Sequence, residues 1–192
     1  MARPREFDEE QVLEAVMERF WTNGFERTSA QDLVDATGLG RGSLYAAYAS
    51  KDGLFEQALL RYRSRARAHV EKLDAEASSI EALRALMTDV VDADLPHPRG
   101  CLATNSAIEM TAHNSRIADL VRENFSILRR GIEATIRRGQ AAGELSPDAD
   151  AAAQATFVFT AIQGLRVMAR AVKADDRASL LDVIEKTLLA LR

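Results

Sequence analysis

The chain is poor in the residues that build several common kinds of site. It has one cysteine, three histidines and four prolines among 192 residues. A lone cysteine, Cys101, excludes an intrachain disulfide and any cysteine-cluster zinc site. His97, Cys101 and His113 have no regular ligand spacing, so no metal and no cofactor is expected. No apolar run approaches the roughly 20 residues that cross a bilayer, so no membrane partner is expected. The opening segment, MARPREFDEE, has arginines but no apolar stretch behind them; it does not read as a secretory signal, and the cytoplasm is the expected location. No nucleophile–base pair, paired carboxylates or phosphate loop stands at a recognisable spacing, which argues against an enzyme. The glycine-rich GLGRGS follows no strand and is not a nucleotide fingerprint. Strand-like alternation and repeats are absent as well.

Helical periodicity fills the chain instead. Asp8, with Gln11 three residues on, opens a first helix, and Phe7 and Val12 have hydrophobic-staple spacing. Val12, Leu13, Val16, Phe20 and Trp21 form its apolar stripe, and Gly24 ends it. Thr28 or Ser29 caps a short second helix that stops at Gly38. A third runs from about Arg41 to Tyr48, and Ser50 caps a fourth that reaches about Ala77. Ser78 and Glu81 open a fifth, ending near Asp94 before the break LPHPRG. A sixth spans about Cys101 to Ala112 and a seventh Arg116 to Ala142. Ser146-Pro147 opens an eighth that extends to about Val172 and is apolar nearly all round, and Asp175 or Asp176 opens a ninth. The expected fold is all-α: a three-helix domain over residues 1–52, then a helical bundle over 53–192, about nine helices in all.

The second and third helices, joined by a tight turn at Gly38, have helix-turn-helix spacing. In that motif the second helix enters the DNA major groove and the first crosses the backbone. Few residues hold the third helix from behind, namely Leu39, Leu44 and Tyr48, and Gly42 keeps its first turn thin. Free N–H groups at Thr28–Ser29 and Ser50–Lys51 suit phosphate. The chain carries a formal net charge of −4, yet from Arg41 to Lys72 seven basic residues face three acidic ones.

The stretch TSAQDLVDATGLGRGSLYAAYASKDGLFEQAL, Thr28 to Leu59, resembles the TetR family of bacterial one-component regulators. The shared pattern runs through Thr37, Gly38, Leu39, Arg41, Gly42, Ser43, Leu44, Tyr45, Tyr48, Ser50, Lys51 and Asp52. The resemblance implies a repressor that binds a palindromic double-stranded DNA operator as a homodimer and is released by a small-molecule effector. The expected DNA contacts are Thr28, Ser29, Gln31, Arg41, Gly42, Ser43, Tyr45, Ala46, Ser50 and Lys51. Two departures stand out. Gly40 occupies the place of a capping serine, and Ala46 and Ala47 replace polar residues, which shifts base reading toward Arg41 and DNA shape.

The resemblance also implies a dimer formed by the last two helices. The residues support this independently, because the eighth helix is too apolar for a monomer surface; Phe157, Val158, Ile162, Leu165, Leu180, Ile184 and Leu188 are the expected interface. The competing reading makes both helices the centre of a monomeric bundle. Cys101, Asn105, Glu109 and His113 are spaced by four along the sixth helix, a face that suits either an effector pocket or a solvated edge. Met87, Met110, Phe125, Phe159 and Gln163 complete the expected effector set. Cys101, after Gly100 at a helix start, fits either a thiol that senses electrophiles or an inert buried cysteine. A helical DNA-binding or interaction protein without sequence choice is the remaining alternative.

Overall fold

The computed structural model describes residues 8–172 and 176–192, so Phe7 and Asp175 lie outside it. Among the described residues all the regular secondary structure is helical: α1 (Glu9–Asn23), α2 (Ala30–Thr37), α3 (Arg41–Tyr48), α4 (Lys51–Ala75), α5 (Ser79–Asp94), α6 (Leu102–Glu109), α7 (Ser115–Ala141), α8 (Ala151–Ala171) and α9 (Arg177–Leu189). Contacts gather the chain into two compact units. The first comprises residues 1–63 and 102–122, the second 64–101 and 123–192. The first unit therefore takes in α6 and the start of α7, which sequence periodicity had no means of attaching to the first three helices.

Local chemistry starts and stops the helices of the first unit. The Asp8 carboxylate accepts the N–H groups of Glu10 and Gln11, satisfying donors that a helix leaves open at its N-terminus. Ser29 and Asp32 form a reciprocal capping box at α2, worth about 1 kcal/mol. Behind these helices Phe55 sits edge-on to Phe20 and Phe25, with ring centroids 4.9 and 5.0 Å apart. Trp21 meets Tyr62 at 5.1 Å, also edge-on, the arrangement that aromatic quadrupoles favour. Arg61 on α4 pairs with Glu14 on α1.

The second unit packs the rest of α4 and α7 with α5, α8 and α9 around Leu83, Met87, Val90, Ile132, Ile136, Ala155, Val158, Ile162, Leu165, Leu180, Ile184 and Leu188. α8 begins later than Ser146-Pro147 implied. The Ser146 N–H donates to the Leu191 carbonyl, and the Gln140 side chain donates to the carbonyls of Ser146 and Ala149. Those bonds hold the segment as a turn, and Asp150 caps the helix by accepting from Ala152 and Ala153. α6 is likewise shorter than expected: turns follow Glu109, so His113 lies beyond the helix.

Moving the cap from Ser146 to Asp150 has a measurable consequence. Asp150→Ala should lower unfolding free energy by about 1 kcal/mol, while Ser146→Ala should change it by less than about 0.5 kcal/mol. Urea titration of both variants checks the assignment; equal losses would contradict it.

Candidate nucleic-acid interface

The turn between α2 and α3 rests on Gly38, whose φ of 68° lies in the left-handed region and whose N–H closes on the Val34 carbonyl at 2.8 Å. This is the backbone state that glycine enters without a Cβ penalty. The Thr37 hydroxyl donates to Leu33 O and accepts the Leu39 N–H, tying both sides of the turn. α3 then buries only Leu44 and Tyr48. Arg41, Gly42, Ser43 and Ala46 are exposed and Tyr45 is half-buried. A Cβ placed on Gly40 or Gly42 would meet nothing within 4 Å. The first turn of α3 is thus bare on its outer side, and Gly40 caps it without a side-chain bond.

Two cations flank this helix, each over an aromatic ring. The Arg41 guanidinium lies 5.6 Å from the Tyr45 centroid. The Lys51 ammonium lies 4.4 Å from the Phe25 centroid and donates to the Glu26 carbonyl at 3.4 Å. Such contacts leave the charge presented outward while limiting the side chain's freedom. Ser50 accepts the Gly53 N–H at the start of α4.

The expected DNA contacts divide accordingly. Ser29, Gln31, Arg41, Gly42, Ser43, Ala46 and Ser50 lie on the exposed surface, with Tyr45 and Lys51 partly so. Ser29 is engaged with Asp32, whose carboxyl these hydrogen bonds hold below the usual range, and the Gln31 amide donates to Asp35. Thr28 is a correction: it is 0% exposed and its hydroxyl donates back to Gly24 O. A buried hydroxyl already satisfied by the chain does not meet phosphate, so Ser29 alone is the cap.

A feature that sequence reasoning passed over is Ala49. Its φ is 65° and ψ −48°, and Ser50 N–H reaches Tyr48 O at 2.8 Å. This is the rare, strained form of γ-turn, placed between α3 and Lys51. The signal was present as a helix break with no glycine at it.

The expected effector residues fall in different units. Asn105, Glu109 and Met110 belong to the first, and Met87, Cys101, Phe125, Phe159 and Gln163 to the second. Phe125 and Phe159 meet edge-on at 5.3 Å, Met87 is fully buried, and Cys101 is 8% exposed. Glu109 is a second correction. Its carboxylate accepts the N–H groups of Phe25 and Glu26, so both oxygens are engaged by backbone rather than offered to a ligand. The dimer set is a third. Val158, Ile162, Leu165, Leu180, Ile184 and Leu188 are buried within the single chain, and only Phe157 of that set is exposed. Helical spacing on an all-apolar helix does not say which side faces its own core.

Sequence reading also missed a charged interior in the second unit. Asp94 is 5% exposed and faces the Arg166 guanidinium at 3.9 Å. Burial raises the Asp94 carboxyl above the usual range, against the opposing pull of Arg166, Arg170 and Arg99. Burial, with Arg166 and Lys72 nearby, lowers His69 to about 4, so His69 is neutral at pH 7. Arg166, one of two charges on an otherwise apolar α8 and the buried one, was the available clue.

Residues 12–58 match the model of "Bacterial regulatory proteins, tetR family", and residues 79–181 match "Tetracyclin repressor-like, C-terminal domain". The chain belongs to the TetR family. It is a DNA-binding transcriptional regulator. The HTH-type transcriptional repressor ComR of Escherichia coli K12 is 33% identical over 174 residues, covering 88% of this chain and 82% of ComR. An HTH-type regulator of Bacillus subtilis, YezE, is 33% identical over 181 residues, 92% and 93% of the two chains. Among solved structures, a cysteine mutant of the TetR family regulator CifR, complexed with 26-bp double-strand operator DNA, has a TM-score of 0.85 at 34% identity over all of both chains. No helix among the described residues of this TetR-family regulator is long and apolar enough to cross a membrane.

Two outcomes test this geometry. Ala49→Gly should raise stability by about 1 kcal/mol by relieving the positive φ, read as a higher urea midpoint; an unchanged midpoint would contradict the strain. For His69 the folded value lies below the unfolded 6.5, so its contribution is present above pH 6.5 and is lost as pH falls toward 4. The loss is on the order of 3 kcal/mol. Stability measured from pH 7 to 4 should therefore fall more steeply in the wild type than in His69→Gln, and parallel curves would contradict the assignment.

Proposed function

We propose that the protein is a homodimeric repressor that binds a palindromic operator and leaves it when a small molecule occupies the second unit, acting in the cytoplasm where that DNA lies. The observation that carries this reading is the bare first turn of α3 with Arg41 and Lys51 beside it, in a chain 34% identical to a regulator solved on operator DNA. Arg41 has the reach and fork geometry to read guanine in the major groove. Lys51 and the α4 N-terminus suit a phosphate. Ala46 offers only a methyl group, which limits that position to apolar contact with thymine.

The dimer reading moves to the outer side of α8. Ala153, Thr156, Phe157, Thr160, Gly164, Val167 and Met168 are exposed, recur at helical spacing and carry no charge. Phe157, Val167 and Met168 are 49%, 53% and 48% exposed, and Leu189 of α9 is 68% exposed. Large apolar side chains grouped on one face mark an association surface. A second copy is the fitting partner, because two recognition helices must reach half-sites roughly 34–36 Å apart.

Three measurements test the reading. Titration against the chain's own upstream intergenic DNA and an unrelated duplex at fixed salt should give unequal affinities; equality would sink sequence-specific repression. Arg41→Ala should cost about 1–3 kcal/mol in operator binding and relax preference at one base pair, whereas a uniform loss across sequences would make Arg41 a phosphate contact. Met168→Lys should yield a folded monomer in sedimentation with weakened operator binding; a persisting dimer would displace this face as the interface.

A further inference from the structure

Glu109 closes α6, and its carboxylate spans two consecutive backbone amides 83 and 84 residues away. Phe25 N–H donates to Oε2 at 3.0 Å and Glu26 N–H to Oε1 at 2.8 Å. Bonds from amides to an ionised carboxylate are stronger than neutral ones. Gly24 suits the approach: its φ is 81°, and a Cβ there would lie 3.2–3.3 Å from the two carboxylate oxygens, tight enough that the carboxylate would have to shift. The other side of the same dipeptide holds Lys51: its ammonium stacks on the Phe25 ring and donates to the Glu26 carbonyl. Phe25 and Glu26 are thus gripped by Glu109 through their N–H groups and by Lys51 through ring and carbonyl. Asn114 donates to Asp52 at 3.5 Å and Arg116 pairs with Glu56 at 3.3 Å, tying the first turns of α4 to the start of α7.

We propose that Glu109 is a positioning residue for DNA binding: by fixing the Phe25–Glu26 corner it holds the Lys51 ammonium where a phosphate is met, without itself touching DNA. The physical need is clear from Lys51. A lysine carries a compact charge on a flexible four-carbon stem, so the surface beneath it determines where the charge rests. The corner between α1 and α2 has no helical bonds of its own to keep its N–H groups in register, and the Glu109 carboxylate supplies that restraint. The inference rests on reading Lys51 as a phosphate contact.

The test uses the full chain and a 26-bp duplex of arbitrary sequence, since a phosphate clamp acts on any sequence. Affinity is measured over a salt series for wild type, Lys51→Ala, Glu109→Ala, Glu109→Gln and the double variant Lys51→Ala/Glu109→Ala, each below its melting temperature. Lys51→Ala should reduce the salt slope by about one unit. Glu109→Ala should reduce it similarly, and the double variant should bind no more weakly than Lys51→Ala. Glu109→Gln keeps the size and one acceptor oxygen, so it should fall between wild type and Glu109→Ala, and it stands in if the alanine variant does not fold. A wild-type slope in both Glu109 variants, or losses that add in the double variant, would reduce Glu109 to a structural tie and overturn the proposal while leaving Lys51 a clamp. An unchanged slope in Lys51→Ala would instead remove the clamp itself, and the proposal with it.

Discussion

The carbonyl of Tyr48 is the hinge on which the reading head is mounted. It accepts the Ser50 N–H across the strained turn at Ala49, and Gly53 lies so close beneath it that any Cβ there would collide with the oxygen. The close approach brings the end of the recognition helix directly onto the start of the long α4. Ser50 and Lys51 then stand beside α3 rather than a loop's length away. A looser junction would allow α3 the same internal hydrogen bonds but would let the cations drift relative to its exposed turn. The strain at Ala49 is tolerated because both flanking helices are anchored, α3 by Leu44 and Tyr48 and α4 by Leu54 and Phe55, all buried.

A similar logic of two-sided holding recurs around Lys51. Its charge is retained in an acidic protein by a ring face and a carbonyl, neither of which neutralises it. That leaves the cation available to an external anion at little cost in reorganisation, which is the condition for a contact to contribute to affinity. The second unit deals with charge in the opposite way. Asp94, Arg166 and His69 are drawn into low-dielectric surroundings, and His69 responds by giving up its proton. Buried ionic groups rarely add net stability compared with apolar residues of the same size. Their presence beside the Met87 and Leu165 core makes this unit the less ordinary half of the molecule.

Helix existence and type were legible in the sequence because capping chemistry and apolar spacing act over four residues or fewer. Ser29 with Asp32, Ser78 with Glu81 and the turn at Gly38 are local devices, and they appear where their residues stand. The bounds of α3, Arg41–Tyr48, are local in the same way. Legibility failed where a competing partner was distant. Ser146 and Asp150 are both acceptable caps, and the choice fell to Gln140 and Leu191, which occupy the Ser146–Ala149 segment. Thr28 and Ser29 are a local exception: both are acceptable caps, and the choice fell to Gly24 O, only four residues back, which took the Thr28 hydroxyl.

The sequence by itself determined an all-helical chain, a helix-turn-helix near its start and the family to which that motif belongs, since each is encoded in short-range pattern. Only the tertiary structure decided which face of α8 is interior, because an apolar residue carries no mark distinguishing its own core from a partner's. Ile162 and Phe157 are both apolar residues of one helix, yet one is wholly buried and the other half exposed. It also decided that Glu109 belongs to the Phe25–Glu26 corner rather than to an effector. A carboxylate's partner is whichever donor the fold brings within 3 Å, and here those donors come from more than eighty residues away.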